Sequence, residues 1–354
     1  MSATTLGPVP TASRPAPSGV RAASRRRRRT GLLLGLAALL VLALLSLAVG
    51  SHPVPLGTAW RALTDLDPTD NDQLIVRTLR VPRTLIAIAV GAALGAAGCL
   101  MQAITRNPLA EPGLLGVNAG AAATVVISIA AFGLSSPAEY LPFALLGSAV
   151  TAAVVLALGG GLRGSSPVRL VLAGAAVSVV LGAFTSTVTI NYPEVFDVFR
   201  FWVVGALQGR GTDVLVATVP LIVAGLLLAQ GLTGSLNAMA LGADAGSALG
   251  VSVRRTWILS SLAIVLLAGS ATAAAGPIAF VGLAAPHVAR LLTGPDHRWA
   301  VPAAMLLGAD VLLGADVVGR VVAVPSEVQT GIVSAVVGAP VFIALVRRRR
   351  MVTL

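Results

Sequence analysis

Asp310 is the carboxylate nearest the middle of a long apolar stretch in this chain, and a charge in hydrocarbon is costly enough to need a reason. It reads either as an ion relay or as a protonated, hydrogen-bonded packing residue. On the same stretch Asp316 precedes Arg320 by four residues, a spacing that brings the pair onto one helical face. Hydroxyls gather in LVLAGAAVSVVLGAFTSTVTI, where Ser178, Thr185 and Thr189 are spaced by seven and four and share a face. They line a wet pathway, or each bonds a carbonyl of its own helix four residues back. Other chemistry lacks its residues. The chain has no GxxxxGK[ST] phosphate cradle, no HExxH, no Cys/His cluster and no GxSxG, and His52, His287 and His297 lie in separate regions. No metal site, cofactor or catalytic constellation is expected, and enzyme readings are left without a mechanism.

The elements that carry these residues are apolar. Hydrophobic residues make up 56% of the 354 and charged ones 11%, against roughly a quarter charged in a soluble domain. Mean hydropathy is +0.90. A hydrocarbon core of about 30 Å takes about 20 apolar residues per helix. Ten stretches qualify, at 31–50, 84–104, 114–134, 138–158, 168–190, 213–233, 257–275, 277–293, 300–321 and 327–346, the eighth being short and Pro-bearing. The expectation is an all-α polytopic membrane protein with about ten spanning helices, forming one domain over 31–350 behind a disordered, basic cytoplasmic tail at 1–30. An even count of spans puts both termini on one side.

The formal charge of +11 rests on 25 basic residues, all arginine, and their placement argues against a nucleic-acid partner. With the N-terminus inside, eighteen fall in cytoplasmic flanks, including Arg25 to Arg29, Arg254, Arg255, Arg290 and Arg347 to Arg350, and seven fall outside. That bias fixes orientation by the positive-inside rule. The first apolar stretch is too long for a signal core and ends on a weak cleavage pattern, so it reads as the first span. Gly91, Gly95 and Gly98 lie close to one face of the second span, where small residues let backbones approach in lipid. Cys99, the lone cysteine, packs as a small hydrophobe. Two long external connections, 51–83 and 191–212, are expected, the second partly amphipathic with a short surface or re-entrant helix. The longest internal one, 234–256, reads as a short helix at the membrane surface.

Five segments carry a resemblance. RVPRTLIAIAVGAALGAAGCLMQAITRNPLAEPGLLGVNAGA (80–121), FWVVGAL (201–207), LGADAGSALGV (241–251), GPIAFVGLAAPHVARLLTGPDHRW and the terminal GAPVFIALVRR together resemble the FecCD-type permease family, in order over about 31–350. The resemblance implies a type II ABC importer permease: a membrane subunit for ferric siderophores, haem or cobalamin in the cytoplasmic membrane, N- and C-termini inside. It implies a permease homodimer or a homologous permease as partner, two cytoplasmic ATPases and an extracytoplasmic substrate-binding protein. A ferric siderophore is the expected cargo, with haem or cobalamin as alternatives and an ion-coupled carrier using Asp310 as the reading from another class.

Site roles follow from the same resemblance. Arg80, Arg83 and Arg320 match basic positions that face the binding protein. Leu241, Gly242, Asp244, Gly246, Leu249, Gly250 and Val251 match the coupling segment that docks on the ATPase, with the glycines expected to permit close approach. Ala243 and Ser247 stand where family members often carry Glu and Arg. Asn107 and Leu109, with Ser165 and Ser166, match the cytoplasmic gate, and Ser178, Thr185 and Thr189 are candidates for pathway lining. Gln329-Thr330 departs from the commoner Pro-Val pair.

Overall fold

A computed structural model of the chain describes residues 18–50, 52–159 and 167–347. Helix α1 spans Ser18–Ala48, and α2 spans Leu56–Thr64. The short α3 (Asn71–Ile75) passes through one π-helical turn, Val76–Arg80, into α4 (Val81–Thr105). Then come α5 (Val117–Phe132), α6 (Pro137–Leu158), α7 (Pro167–Asn191), α8 (Pro193–Val203) and α9 (Thr212–Gly231). The short α10 (Thr233–Ala240) and α11 (Ala243–Ala248) precede α12 (Val253–Ile264), which runs through a second π turn into α13 (Ser270–Ala275). Last are α14 (Val281–Thr293), α15 (His297–Val322) and α16 (Thr330–Arg347).

Seven of these helical segments are long and apolar enough to cross a bilayer, and α5 and α16 are shorter apolar helices. With the 13-residue α14 they account for the ten expected stretches. One boundary is corrected. Residues 18–30 are helical, where a disordered tail was expected, because alanine and arginine are good helix formers and extend the helix that the first span nucleates. Residues 1–17 lie outside the described residues. The expected surface helices are present as α8 in the 191–212 connection and as α10 and α11 in the 234–256 connection.

Helix α4 is the centre of the bundle, its spanning window 83% buried, whereas α1 and α7 bury 6% and 11% of theirs. Glycine sets its packing. A Cβ at Gly91 would fall on the Gly308 carbonyl, one at Gly95 on the Ala304 carbonyl and one at Gly98 on the Gly282 carbonyl, so α4 meets α15 and α14 backbone to backbone. Lipid offers no hydrophobic drive for helix association, so such close packing does that work. The peripheral α1 and α7 expose Leu33, Leu40, Leu44, Leu172, Val179 and Val180.

Candidate functional site

The ionic residues of α4 and α15 meet at the end of the bundle opposite the Arg25–Arg29 run. Arg83 grips Asp316 with Nε at 3.1 Å and Nη2 at 2.8 Å, and Arg320 donates to the same carboxylate through Nε at 3.0 Å and through Nη2. Thr330 adds a hydroxyl bond at 2.8 Å. Arg83 also donates Nη1 to Glu327 at 2.8 Å, and Gln208 donates to that acid at 3.2 Å. The expected Asp316–Arg320 pairing is present within a larger network of two acids and two guanidiniums. The Asp316 side chain is fully buried, and those of Arg320 and Arg83 are 2% and 11% exposed.

These arginines also bind α1. Arg320 donates to the Ser46 carbonyl at 2.7 Å, while Arg80 donates to Leu47 O at 2.7 Å and to His52 O. The last carbonyls of a helix have no intrahelical partner and carry its negative dipole end, so cations satisfy them twice over. Arg80, Arg83 and Arg320 were expected together, at positions that face a binding protein. All three sit near one another, with their guanidiniums turned into the protein and occupied by internal acceptors. Glu327 and Gln208, to which the sequence assigned no role, complete the cluster; only their long-range contacts reveal them. Thr330, half of the departing pair, contributes a hydroxyl that valine lacks.

At the Arg25-bearing end, α10 and α11 form the turn expected for coupling. Leu241 and Leu249 are 69% and 64% exposed on either side of α11, and Asp244 is exposed between them. The glycines act differently from the expectation. Gly242 and Gly250 have φ of +114° and +82°, a left-handed region that glycine enters without strain, and Gly246 is buried with its Cβ position 3.3 Å from the Ala238 carbonyl. They shape the turn and pack it on α10. Leu249→Asp is expected to abolish association with an ATPase subunit while membrane insertion persists, as read by co-purification; undiminished co-purification removes this surface from the contact.

Asn107 organises the turn after α4, its side chain accepting from Leu109 N at 2.9 Å and its carbonyl from Ala110 N at 3.1 Å. Arg106, left-handed at φ +50°, ends the helix and donates to Met239 O at 2.8 Å, tying this turn to α10. Leu109 is 44% exposed, and burial holds the Glu111 carboxyl above its usual range. Ser165 and Ser166 lie outside the described residues. In α7, Thr185 and Thr189 bond the carbonyls of Leu181 and Thr185 at 2.8 and 2.9 Å, which is the helix-carbonyl alternative for these hydroxyls; Ser178, half-buried, makes no such bond. Arg290 is corrected from a flanking charge to a core residue, 2% exposed and donating to Gln102 of α4. Asp310 faces Gly35 of α1 and forms no ion pair among the described residues.

A bundle of apolar helices braced by a buried ionic cluster at one end, with a leucine-flanked turn at the other, defines a polytopic membrane protein. Residues 38–348 match the FecCD transport family, and the chain belongs to it. It is 46% identical over 338 residues to the ferric enterobactin transport system permease protein FepD of Escherichia coli strain K12, covering 94% of this chain and 98% of that one. It is 40% identical over 298 residues to the probable siderophore transport system permease protein YfiZ of Bacillus subtilis strain 168, covering 82% and 89%. Among solved structures, a chain of a metal-chelate type ABC transporter in an inward-facing conformation superposes with a TM-score of 0.78 at 28% identity, covering 90% of this chain and 98% of that one.

Proposed function

We propose that this chain is the permease subunit of an ATP-driven importer that carries a ferric siderophore across the cytoplasmic membrane by alternating access. Family membership over 38–348, with relatives named for ferric enterobactin and siderophore transport, is the observation that carries the reading. On this reading the Arg25-bearing end is cytoplasmic, both termini lie there, and Leu241 and Leu249 rest on an ATPase. The ionic cluster lies at the outer face beneath a binding protein, holding the outer ends of α1, α4 and α15 in register while other exposed groups make the contact. A second permease copy or a homologue completes the pathway. ATP hydrolysis supplies the work from another polypeptide, and it shifts the permease between states only through differential binding to them.

The test is ATP-dependent uptake into proteoliposomes by the reconstituted complex, against ferric siderophores, haem and cobalamin. Uptake of a siderophore that requires both ATP and the binding protein supports the reading; uptake by this chain alone under an ion gradient overturns it. The ion-carrier alternative would run through Asp310. A carboxyl at the α1–α15 seam with no partner across a pathway suits a helix-packing role, so Asp310→Leu is expected to keep uptake within about twofold of the parent. Loss of uptake by a normally inserted variant would revive the relay.

A further inference from the structure

A groove between α1, α14 and α15 lies at the Arg25-bearing end of the bundle, lined by Arg28, Gly31, Leu32, Leu292, Ala303 and Leu306. Arg28 precedes Gly31 and Leu32 by three and four residues, so the three share one face of α1. Glycine keeps the groove open: Gly31 brings no side chain to it, and the position of its missing Cβ is 3.9 Å from the Leu292 side chain. Beside the groove, Arg27 donates to the Leu291 carbonyl at 3.1 Å and fastens α1 to the end of α14. Arg28 reaches the same end, its Nη2 lying 3.3 Å from where a Cβ on Gly294 would be. There the half-buried guanidinium has no hydrogen bond or ion pair among the described residues. Arg26 and Arg29 are exposed nearby, and the sequence holds no Asp or Glu before Asp65. In the α14–α15 turn, the Asp296 carboxylate is taken up by Asn237 at 2.7 Å and Arg298 N at 3.0 Å. Arg28 therefore stands over an apolar groove without an anion.

We infer that this groove seats an anionic phospholipid of the surrounding bilayer, its phosphate on Arg28 and one acyl chain along Gly31, Leu32 and Leu306. A planar guanidinium matches phosphate oxygens two at a time, and such charge-assisted bonds are the stronger kind. Basic pockets between spanning helices suit acidic headgroups, and the arginine run adds attraction of longer range. A zwitterionic lipid brings the same phosphate with a cationic group that this run repels. Helix α1 buries only 6% of its spanning window and exposes Leu33, Leu34 and Leu36, so its surface beside the groove is one that lipid chains cover. Trp299, 39% exposed, stands one turn before Ala303 on the same face of α15, at the level where interfacial aromatics meet headgroups. Asp310 lies thirteen residues into α15, about 20 Å from its start at a rise of about 1.5 Å per residue, so it faces the chain and not the phosphate. The seated lipid would tie α1 to α14 and α15, and the inference stands whichever cargo the permease carries.

Trp299 supplies the readout. The full chain is reconstituted in phosphatidylcholine bilayers that contain a fixed fraction of phosphatidylglycerol or of phosphatidylcholine brominated near the headgroup. The difference in quenching between each protein and its Trp299→Phe counterpart isolates Trp299. Phosphatidylglycerol is expected to occupy the site about tenfold more readily than phosphatidylcholine, and Arg28→Gln is expected to reduce that preference to about twofold. Arg26→Gln removes the same charge from another face of the helix. It is expected to keep the preference within about twofold of the parent at about 1 M salt, where a Debye length of about 3 Å screens distant charge. Gly31→Leu keeps every charge, fills the groove and is expected to abolish the preference. Equal quenching by the two lipids overturns the site, as does quenching by neither, which would mean that protein covers the groove. So does an equal loss in Arg26→Gln and Arg28→Gln, the mark of a diffuse field, or a preference untouched by Gly31→Leu.

Discussion

Gly98→Ala, one added methyl group, is expected to prevent normal accumulation of the chain in the membrane, whereas Gly182→Ala, the same change in another span, is expected to be neutral or mildly stabilising. The difference lies in what each Cβ would meet. At Gly98 it would fall on the carbonyl of Gly282, so α4 and α14 would have to separate along a contact that is backbone against backbone. No side chain can turn aside. At Gly182 nothing lies within 4 Å, and alanine lowers the entropy lost by glycine in a helix, worth about 0.5–1 kcal/mol. Overpacking of a close seam typically costs about 1–3 kcal/mol, and the backbone collision puts Gly98→Ala at the upper end or above. Thermal melting of the purified variants in detergent checks both; equal midpoints would show that α4 and α14 slide apart freely.

That seam was visible in the sequence, because Gly91, Gly95 and Gly98 repeat near a helical period, and the period alone places them on one face. The partners were not visible. Which carbonyls they meet depends on how α14 and α15 are threaded past α4, and residues about two hundred positions apart leave no local signal of that. The same limit explains the arginines. Arg80, Arg83 and Arg320 carry a strong motif, and their common location was legible, but a motif does not state which way a side chain turns. The α1 carbonyls that receive Arg80 and Arg320 belong to a stretch whose apolar residues advertise only its insertion in lipid. At the turn around α11 the spacing of Gly242, Gly246 and Gly250 suggested a docking face. Gly242 and Gly250 serve conformation, with a left-handed φ that shows only in the folded backbone, and Gly246 packs against α10.

Asp316→Ala is expected to destabilise the chain by about 3–5 kcal/mol, the usual result of removing one partner from a buried ion pair. Two guanidiniums, Arg83 and Arg320, would lose their shared carboxylate in a place where Arg320 is buried and Arg83 nearly so, and Glu327 would remain for Arg83 alone. Arg320 would keep only Ser46, through its carbonyl at 2.7 Å and hydroxyl at 3.1 Å. Replacing all three charged residues together, as Asp316→Leu with Arg83→Met and Arg320→Met, removes the unpaired charge instead of creating it. Such exchanges are often neutral or stabilising in soluble proteins, so the triple variant should recover much of the loss. Recovery would be incomplete, because the carbonyl of Ser46 at the end of α1 would lose its cation. Both outcomes are read on the purified chain with no binding protein present. A cluster whose main role is to meet a partner at the surface would leave the melting temperature of Asp316→Ala unchanged and show its effect only when that partner is added. A cluster that braces α1, α4 and α15 gives the large shift in the isolated chain, which is the result its buried carboxylate requires.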